Sequence, residues 1–195
     1  MDNKIGKLMD ALEEQGLAEN TVIIYTSDHG ESLGEHGLWR KMNFYEHSAR
    51  VPLQISWPGV ISGGQHFDGA TSLVGVTATI LDVAGVSGRD LEHLRLDGDS
   101  LLPLMRGVTS KWKDEAFTEH LAHGTDRARA MVRKGNWKLC YSHGNPPDLE
   151  LYDLSADPGE FNNLAGSPKH RDVQEQLIAR IMEHWGDPGK LTQDI

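Results

Sequence analysis

A carboxylate, an imidazole and an ammonium group stand close together in the segment SDHGESLGEHGLWRK, residues 27–41. Asp28 and His29 directly follow an apolar run, and ligands of open α/β sheets collect where strands end. Both side chains can bind a divalent metal, and Gly30 lets the backbone turn sharply after them. Lys41 lies far enough along for a loop to return its ammonium to the same place, where it would suit a tetrahedral oxyanion such as sulfate or phosphate.

A structural explanation of the same residues is also open. In it, Asp28 accepts backbone N–H groups at a strand-end turn and His29 is merely exposed. His36 and His47 raise the alternative of a zinc site, but they lack the i, i+4 helical spacing of zinc proteases, and nearby glycines oppose a helix. We therefore do not predict zinc.

Polar residues outside this segment have two interpretations as well. Glu46, Ser48 and Arg50, in YEHSARVPL, either take part in catalysis or form an ion pair or cap that holds the loop onto a sheet, and we favour the structural interpretation. Glu119, in TEHLAHG, either pairs with a cationic group of a substrate or ends a strand in solvent.

The elements that must position these residues indicate an α/β fold. Apolar residues at helical spacing predict a helix over residues 1–20, and the β-branched run TVIIYTS predicts a strand covered on both faces. A second strand is expected over residues 51–59, a helix over 72–86 and mostly loop over 87–110. Together they predict part of a central, mostly parallel sheet with flanking helices.

The character of the sequence changes near Glu115. Four short alternating segments, EAFTEH, ARAMVRK, NWKLCYS and LELYDL, predict a small antiparallel sheet, and KHRDVQEQLIARIMEHW predicts a closing helix. We therefore expect two regions, the larger α/β part over residues 1–110 and a small α+β subdomain over residues 111–195.

Composition excludes several classes of partner. A formal net charge of -10 argues against binding to nucleic acid, and no apolar run approaches the length of a membrane span. The first residues show no charged-then-apolar signal pattern, so we expect a soluble chain whose compartment is undetermined. The single cysteine, Cys140, cannot form an intrachain disulfide and is interpreted as a buried, inert thiol.

Four motifs, in order, resemble the C-terminal segments of the sulfatase family of the alkaline-phosphatase superfamily. They are SDHG, GLWRKMNFYEHSARVPL, DGDSLLPLMRG and LYDLSADPGEFNNLA. Within that family, SDHGESLGEHGLWRK is most similar to choline-sulfatase-like and phosphonate monoester hydrolase-like members.

The resemblance implies a role for three residues. Asp28 and His29 would be two ligands of the divalent cation in the active site, and Lys41 would contact a sulfate oxygen. Calcium is the expected metal, but His29 stands where many arylsulfatases have asparagine, which leaves manganese or magnesium open.

Two features of the family are missing from the chain. Sulfatases use a formylglycine nucleophile made from the cysteine of a Cys-x-Pro-x-Arg signature, and Cys140 is not in such a motif. The family's upstream Asp-Asp metal pair is also missing, so we expect the chain to be the C-terminal part of a longer sulfatase. It would need the missing half, or self-association, to cover its sheet.

The predicted function is hydrolysis of a small-molecule sulfate ester by the parent protein, with this chain supplying part of the metal and sulfate site. Two alternatives remain open. One is a phosphoester or phosphonate monoester hydrolase of the same superfamily, since the same cationic cradle suits either anion. The other is a non-catalytic fragment.

Overall fold

The computed structural model describes residues 1–86, 94, 96–121, 124–186 and 190. The helices within these residues are α1 (Asp2–Glu14), α2 (Glu46–Ala49), α3 (Val74–Val83), α4 (Leu102–Met105) and α5 (Arg171–Trp185). The strands are β1 (Ile23–Thr26), β2 (Ser32–Leu33), β3 (Trp39–Arg40), β4 (Leu53–Ser56), β5 (Glu115–His120), β6 (Arg129–Lys134), β7 (Trp137–Ser142) and β8 (Asp148–Asp153).

Strands β5 to β8 form an antiparallel meander in which neighbours along the chain are neighbours in the sheet. Gly135 and Asn136 form the tight turn between β6 and β7, and Gly135 takes the left-handed φ of 55° that such turns require. One face of the sheet packs against α5 through a core that includes Leu139, Leu151, Leu177 and Ile181. The predicted antiparallel sheet and closing helix are therefore confirmed.

The opposite face of this sheet is buried too. It carries Lys138 and Cys140 of β7 and Tyr152 of β8, each less than a tenth exposed. The ring of Tyr45, the residue before α2, lies 6.2 Å from the ring of Tyr152. Burial raises the pKa of the Cys140 thiol, which agrees with the interpretation of Cys140 as an inert thiol.

The predicted parallel central sheet is not observed in the described residues. Strand β1 pairs with β4 in an antiparallel ladder that runs from Ile23 opposite Ser56 to Thr26 opposite Leu53. Apolar residues on both faces of a strand indicate that both faces are covered, but they do not indicate whether the partner strand is parallel or antiparallel. The first three residues of β1 are half-buried, and Thr26 is exposed.

The predicted helices near both ends are present, but α1 is uncovered. Its apolar residues lie at helical spacing, yet Leu8 and Met9 are 61% and 44% exposed and no residue of α1 is buried. The loop predicted over 87–110 contains α4, and residues 87–93 and 95 of that loop lie outside the described part of the chain. Across the described residues, no helix has both the length and the apolar character needed to cross a bilayer.

A buried ion cluster joins the C-terminal sheet to the segment around α2. Lys138 is fully buried, and its Nζ lies 3.0 Å from Oε1 of Glu46 and 2.7 Å from Oε1 of Glu160. Arg133 approaches the second carboxylate oxygen of Glu46 at 3.8 Å. Two cations therefore face two carboxylates, which balances the charge of a cluster removed from water.

We expect Lys138→Met to lower the free energy of unfolding by about 3 to 5 kcal/mol, because it leaves the carboxylates of Glu46 and Glu160 together without their buried cation. Urea unfolding followed by circular dichroism measures this loss. The control is Lys134→Met on the neighbouring strand, where an ammonium that is 49% exposed pairs with Glu115 and should contribute under about 1 kcal/mol. Equal losses in the two variants would contradict a special role for Lys138.

A second ion pair fastens α5 to the edge strand β5. Arg180 donates two hydrogen bonds of 2.8 Å to the two carboxylate oxygens of Glu115, whose side chain is only 4% exposed. Hydrogen bonds from Arg180 lower the pKa of the Glu115 carboxyl more than its partial burial raises it, and Lys134 adds to the lowering. The folded state thus favours the charged form of Glu115.

Because the pKa of Glu115 is lower in the folded than in the unfolded chain, its contribution is full above the unfolded value and is lost as pH falls through the folded one. We expect Glu115→Gln to cost about 1.5 to 3 kcal/mol at neutral pH and progressively less below about pH 4. Urea unfolding at several pH values tests this. The control is Glu183→Gln, which removes the exposed carboxylate that also pairs with Arg180 and should change the free energy of unfolding little. A loss in Glu115→Gln that does not depend on pH would contradict the assignment.

Candidate functional site

The Asp28 carboxylate lies just beyond the end of β1 and is 84% exposed. Its Oδ1 accepts a hydrogen bond of 3.0 Å from the backbone N–H of His29, which is the capping role that the structural explanation expects. Its Oδ2 lies 3.4 Å from Nε2 of the His29 ring. The two oxygens therefore have different partners, and the turn leaves one of them facing the imidazole.

The His29 ring is held between two groups of opposite hydrogen-bonding character. Its Nδ1 lies 2.6 Å from the carbonyl oxygen of Gly30, and its Nε2 lies 2.7 Å from Nζ of Lys41. A carbonyl only accepts and an ammonium only donates, so Nδ1 carries the proton and Nε2 presents its lone pair. In this tautomer the lone pair of Nε2, which accepts from Lys41, is the one that a cation would use in place of the ammonium.

Lys41 reaches this place through a short hairpin. Strands β2 and β3 pair Ser32 with Arg40 and Leu33 with Trp39, so the chain that leaves the end of β1 turns back and returns at Lys41. The turn and its exit use left-handed conformations at Gly34, His36, Gly37 and Arg40. The Lys41 ammonium thereby lies beside the His29 ring, with its Nζ 2.7 Å from Nε2.

Charge is concentrated at this strand end. Partial desolvation raises the pKa of the Asp28 carboxyl, but attraction to His29 and Lys41 together with backbone hydrogen bonds holds that pKa below its ordinary value. Asp28 is therefore a carboxylate at neutral pH, close to the Lys41 ammonium and the His29 ring.

The helix α2 packs directly against the turn. The backbone N–H of Gly30 donates to the carbonyl of Ser48 at 2.8 Å, and a Cβ at position 30 would overlap the carbonyl oxygen of His47. Glycine is required here by the close approach of two backbones. The predicted structural role of Ser48 as a residue that holds the loop is consistent with this contact.

The chemistry of these donors suits a divalent cation as part of a larger site. The Lys41 ammonium lies 2.7 Å from Nε2 of His29, so this imidazole nitrogen already faces a positive charge, and the Asp28 carboxylate lies 3.4 Å from the same nitrogen. Hard cations usually take about six ligands, however, and the described residues contain no cluster of three or more His, Cys, Asp and Glu side chains that could hold a metal.

Other residues considered from the sequence lie in different surroundings. Glu119 is exposed on β5, an edge strand, and within the described residues no hydrogen bond or ion pair joins it to Asp28, His29 or Lys41. The His36 ring stacks on Tyr45 at 4.2 Å, and its Nε2 donates to the carbonyl of Gly159 at 2.9 Å. The sequence did not predict that the His36 ring anchors the hairpin. The signal in the sequence was the presence of His36, Tyr45 and His47 in the same motif.

Residues 34–186 match the family model described as N-sulphoglucosamine sulphohydrolase, C-terminal. Choline-sulfatase of Rhizobium meliloti (strain 1021) is 42% identical over 190 residues, which are 95% of this chain and 35% of that protein. N-acetylglucosamine-6-O-sulfatase of Bacteroides thetaiotaomicron is 32% identical over 189 residues, 94% of this chain and 33% of that protein. The chain thus spans about a third of the length of these relatives.

Solved structures show the same likeness. A protein in complex with its substrate D-glucosamine-2-N,6-O-disulfate is 30% identical and superposes with a TM-score of 0.80, covering 99% of this chain and 39% of its own. Phosphonate monoester hydrolase of Agrobacterium radiobacter is 29% identical with a TM-score of 0.78, covering 94% of this chain and 38% of its own.

Because Asp28 and His29 are only two ligands, we expect this chain to bind a divalent metal weakly, with an affinity that depends on the neighbouring charges. In a calorimetric titration with Ca²⁺ or Mn²⁺ we expect no sub-micromolar affinity, and Asp28→Ala should abolish what binding there is. Lys41→Met should tighten binding about tenfold, because it removes a like charge from His29 Nε2. The control is Lys7→Met at an exposed lysine of α1, which should not change the affinity. A sub-micromolar affinity that survives Asp28→Ala would show that other residues are the ligands.

Proposed function

The chain belongs to the sulfatase family whose C-terminal model it matches over residues 34–186, and we propose that it supplies part of the active site of a hydrolase that cleaves sulfuric esters. The observation that carries this proposal is the meeting of Asp28, His29 and Lys41 at the end of β1, where the Lys41 ammonium lies 2.7 Å from His29 Nε2. A carboxylate, a metal-binding imidazole nitrogen and an exposed ammonium are the groups that a tetrahedral oxyanion site needs.

In this proposal, Asp28 Oδ2 and His29 Nε2 are two ligands of a divalent cation. The cation would neutralise charge on the sulfuryl oxygens. Calcium is our first choice, and the imidazole leaves manganese or magnesium as alternatives because it is a softer ligand than an amide oxygen. The Gly30 carbonyl contributes by holding the proton on Nδ1, so that Nε2 remains unprotonated.

Lys41 is the proposed catalytic and substrate-binding residue. An imidazole nitrogen has one lone pair, so a cation on His29 Nε2 would replace the hydrogen bond from Lys41 and leave the three donors of the ammonium for the oxygens of a sulfate group. Because negative charge grows on those oxygens in the transition state, a fixed ammonium beside them lowers the barrier more than it strengthens substrate binding.

Glu119 remains a proposed contact for the organic part of the substrate. It is an exposed carboxylate, and one relative of this chain carries the name choline-sulfatase, whose substrate by that name bears a quaternary ammonium. The alternative is that Glu119 only keeps the edge of β5 solvated.

We place the nucleophile outside this chain's residues. Cys140 is the single cysteine, it is buried, and it does not lie in a Cys-x-Pro-x-Arg signature. The other metal ligands and the nucleophile would come from the remainder of a longer sulfatase or from association with another polypeptide, including a second copy. The exposed Leu8 and Met9 of α1 provide an apolar surface that such a partner would cover.

Hydrolysis of phosphonate monoesters is the second candidate function. It is favoured by the likeness to phosphonate monoester hydrolases from Agrobacterium radiobacter and Silicibacter pomeroyi, each 29% identical to this chain. The same cationic groups serve a sulfate, phosphate or phosphonate, so the site alone does not choose between them. A non-catalytic fragment is the third candidate, supported by the missing nucleophile motif.

Turnover by a full-length sulfatase that contains this segment tests the proposal. Aryl sulfate should be hydrolysed faster than the matched aryl phosphate and aryl phosphonate monoester, and Lys41→Ala should lower kcat about 100- to 1000-fold with little change in Tm. Lys7→Ala is the control for loss of an exposed lysine. Preference for the phosphonate would favour the second candidate, and unchanged turnover with a lower Tm would make Lys41 a structural residue.

A further inference from the structure

Ser48 is fastened to both ends of the hairpin that carries the candidate site. Its side chain is buried, with 3% of the residue exposed, and its Oγ donates to the carbonyl of Lys41 at 2.7 Å. Its own carbonyl accepts the N–H of Gly30 at 2.8 Å. One residue therefore holds the chain both where it leaves the strand end and where it returns.

These two bonds hold Gly30 and Lys41, the two residues that contact the nitrogens of the His29 ring. The Gly30 peptide held by Ser48 presents the carbonyl that accepts from His29 Nδ1 at 2.6 Å. The Lys41 backbone held by Ser48 carries the ammonium that donates to His29 Nε2 at 2.7 Å. A loss of the Ser48 hydroxyl would therefore loosen one of the two groups that select the tautomer.

The position of Ser48 depends on contacts between α2 and the C-terminal region of the chain. It lies in α2, a helix of four residues that has no capping side chain of its own. The first N–H of this helix, on Glu46, donates to Oε2 of Glu160 at 2.6 Å, and the Glu46 carboxylate pairs with the buried Lys138. The rigid sheet thus holds α2, and α2 holds the site.

We propose that Ser48 is a positioning residue that fixes the tautomer of His29 and the place of Lys41 beside it. Its meaning for catalysis rests on the proposed sulfatase function, whereas the positioning itself is a property of this chain. A purely structural serine would affect stability without affecting which nitrogen of His29 carries the proton.

The chain offers a matched control in Ser32. Its hydroxyl is equally buried, it belongs to the same hairpin, and it accepts a hydrogen bond of 2.9 Å from Nδ2 of Asn43. Ser32→Ala and Ser48→Ala each remove one buried oxygen atom from the hairpin. Only Ser48→Ala removes a bond to the backbone of Lys41.

The experiment is NMR of the ¹⁵N-labelled histidine rings in the whole chain, which reports the tautomer of His29 without metal or substrate. In the wild type we expect His29 to carry its proton on Nδ1. Ser48→Ala should raise the population of the other tautomer about fivefold, the factor for losing one hydrogen bond, because Lys41 without its backbone anchor no longer holds its bond to His29 Nε2. Ser32→Ala should lower Tm by a similar amount and leave the tautomer unchanged.

An unchanged tautomer in Ser48→Ala, or an equal change in Ser32→Ala, overturns the inference. If Ser48→Ala does not fold, Ser48→Cys keeps the shape of the side chain with a weaker donor, and it must move the tautomer in the same direction. If the tautomer depends on Ser48 but the full-length protein that contains this segment cleaves only phosphonates, the proposed sulfatase function alone is overturned. If that protein cleaves sulfate esters but the tautomer does not depend on Ser48, this inference alone is overturned.

Discussion

The fully buried ammonium of Lys138, held between the carboxylates of Glu46 and Glu160, is the interaction on which the arrangement of the described parts depends. Removing a charge from water is costly, and that cost is offset only when the partners are close and their geometry is fixed. Glu160 meets this condition in a left-handed conformation, with φ of 58°, at the end of a tight turn. The cluster therefore tolerates one relative placement of β7, the turn at Glu160 and α2.

This constraint joins two of the sequence motifs in space. GLWRKMNFYEHSARVPL supplies Glu46, LYDLSADPGEFNNLA supplies Glu160, and the strand between them in sequence supplies Lys138. The hairpin adds a second connection between the same two motifs, because the His36 ring stacks against Phe161 at 4.8 Å. The motif at the C-terminal end, which has no group in the candidate site, acts as a support for the motif that does.

The local pattern of the sequence predicted most elements but few of their partners. Alternation predicted β5 to β8, helical spacing predicted α1 and α5, and the placement of Asp28 and His29 after an apolar run located the strand end. The antiparallel pairing of β1 with β4 and the exposure of α1 were not predictable, since periodicity reports which faces are apolar and not what covers them. In the alternating pattern of its strand, Lys138 occupies a polar position, which predicts exposure to solvent. It is buried because its partner Glu46 lies 92 positions earlier in the chain, where a local pattern gives no signal.

The candidate site is built from elements too short to be stable alone. Strands β2 and β3 have two residues each, and α2 has four, whereas an isolated helix of fewer than about 12 residues is marginal in water and an isolated hairpin is little better. Their geometry must therefore come from outside the hairpin, through Ser48, Glu46 and the ring of His36. The sheet that provides it is the well-packed part of the chain, with Val132, Leu139 and Leu151 fully buried. The small C-terminal sheet is thus the rigid body against which Asp28, His29 and Lys41 are brought together, even though it contributes none of the three.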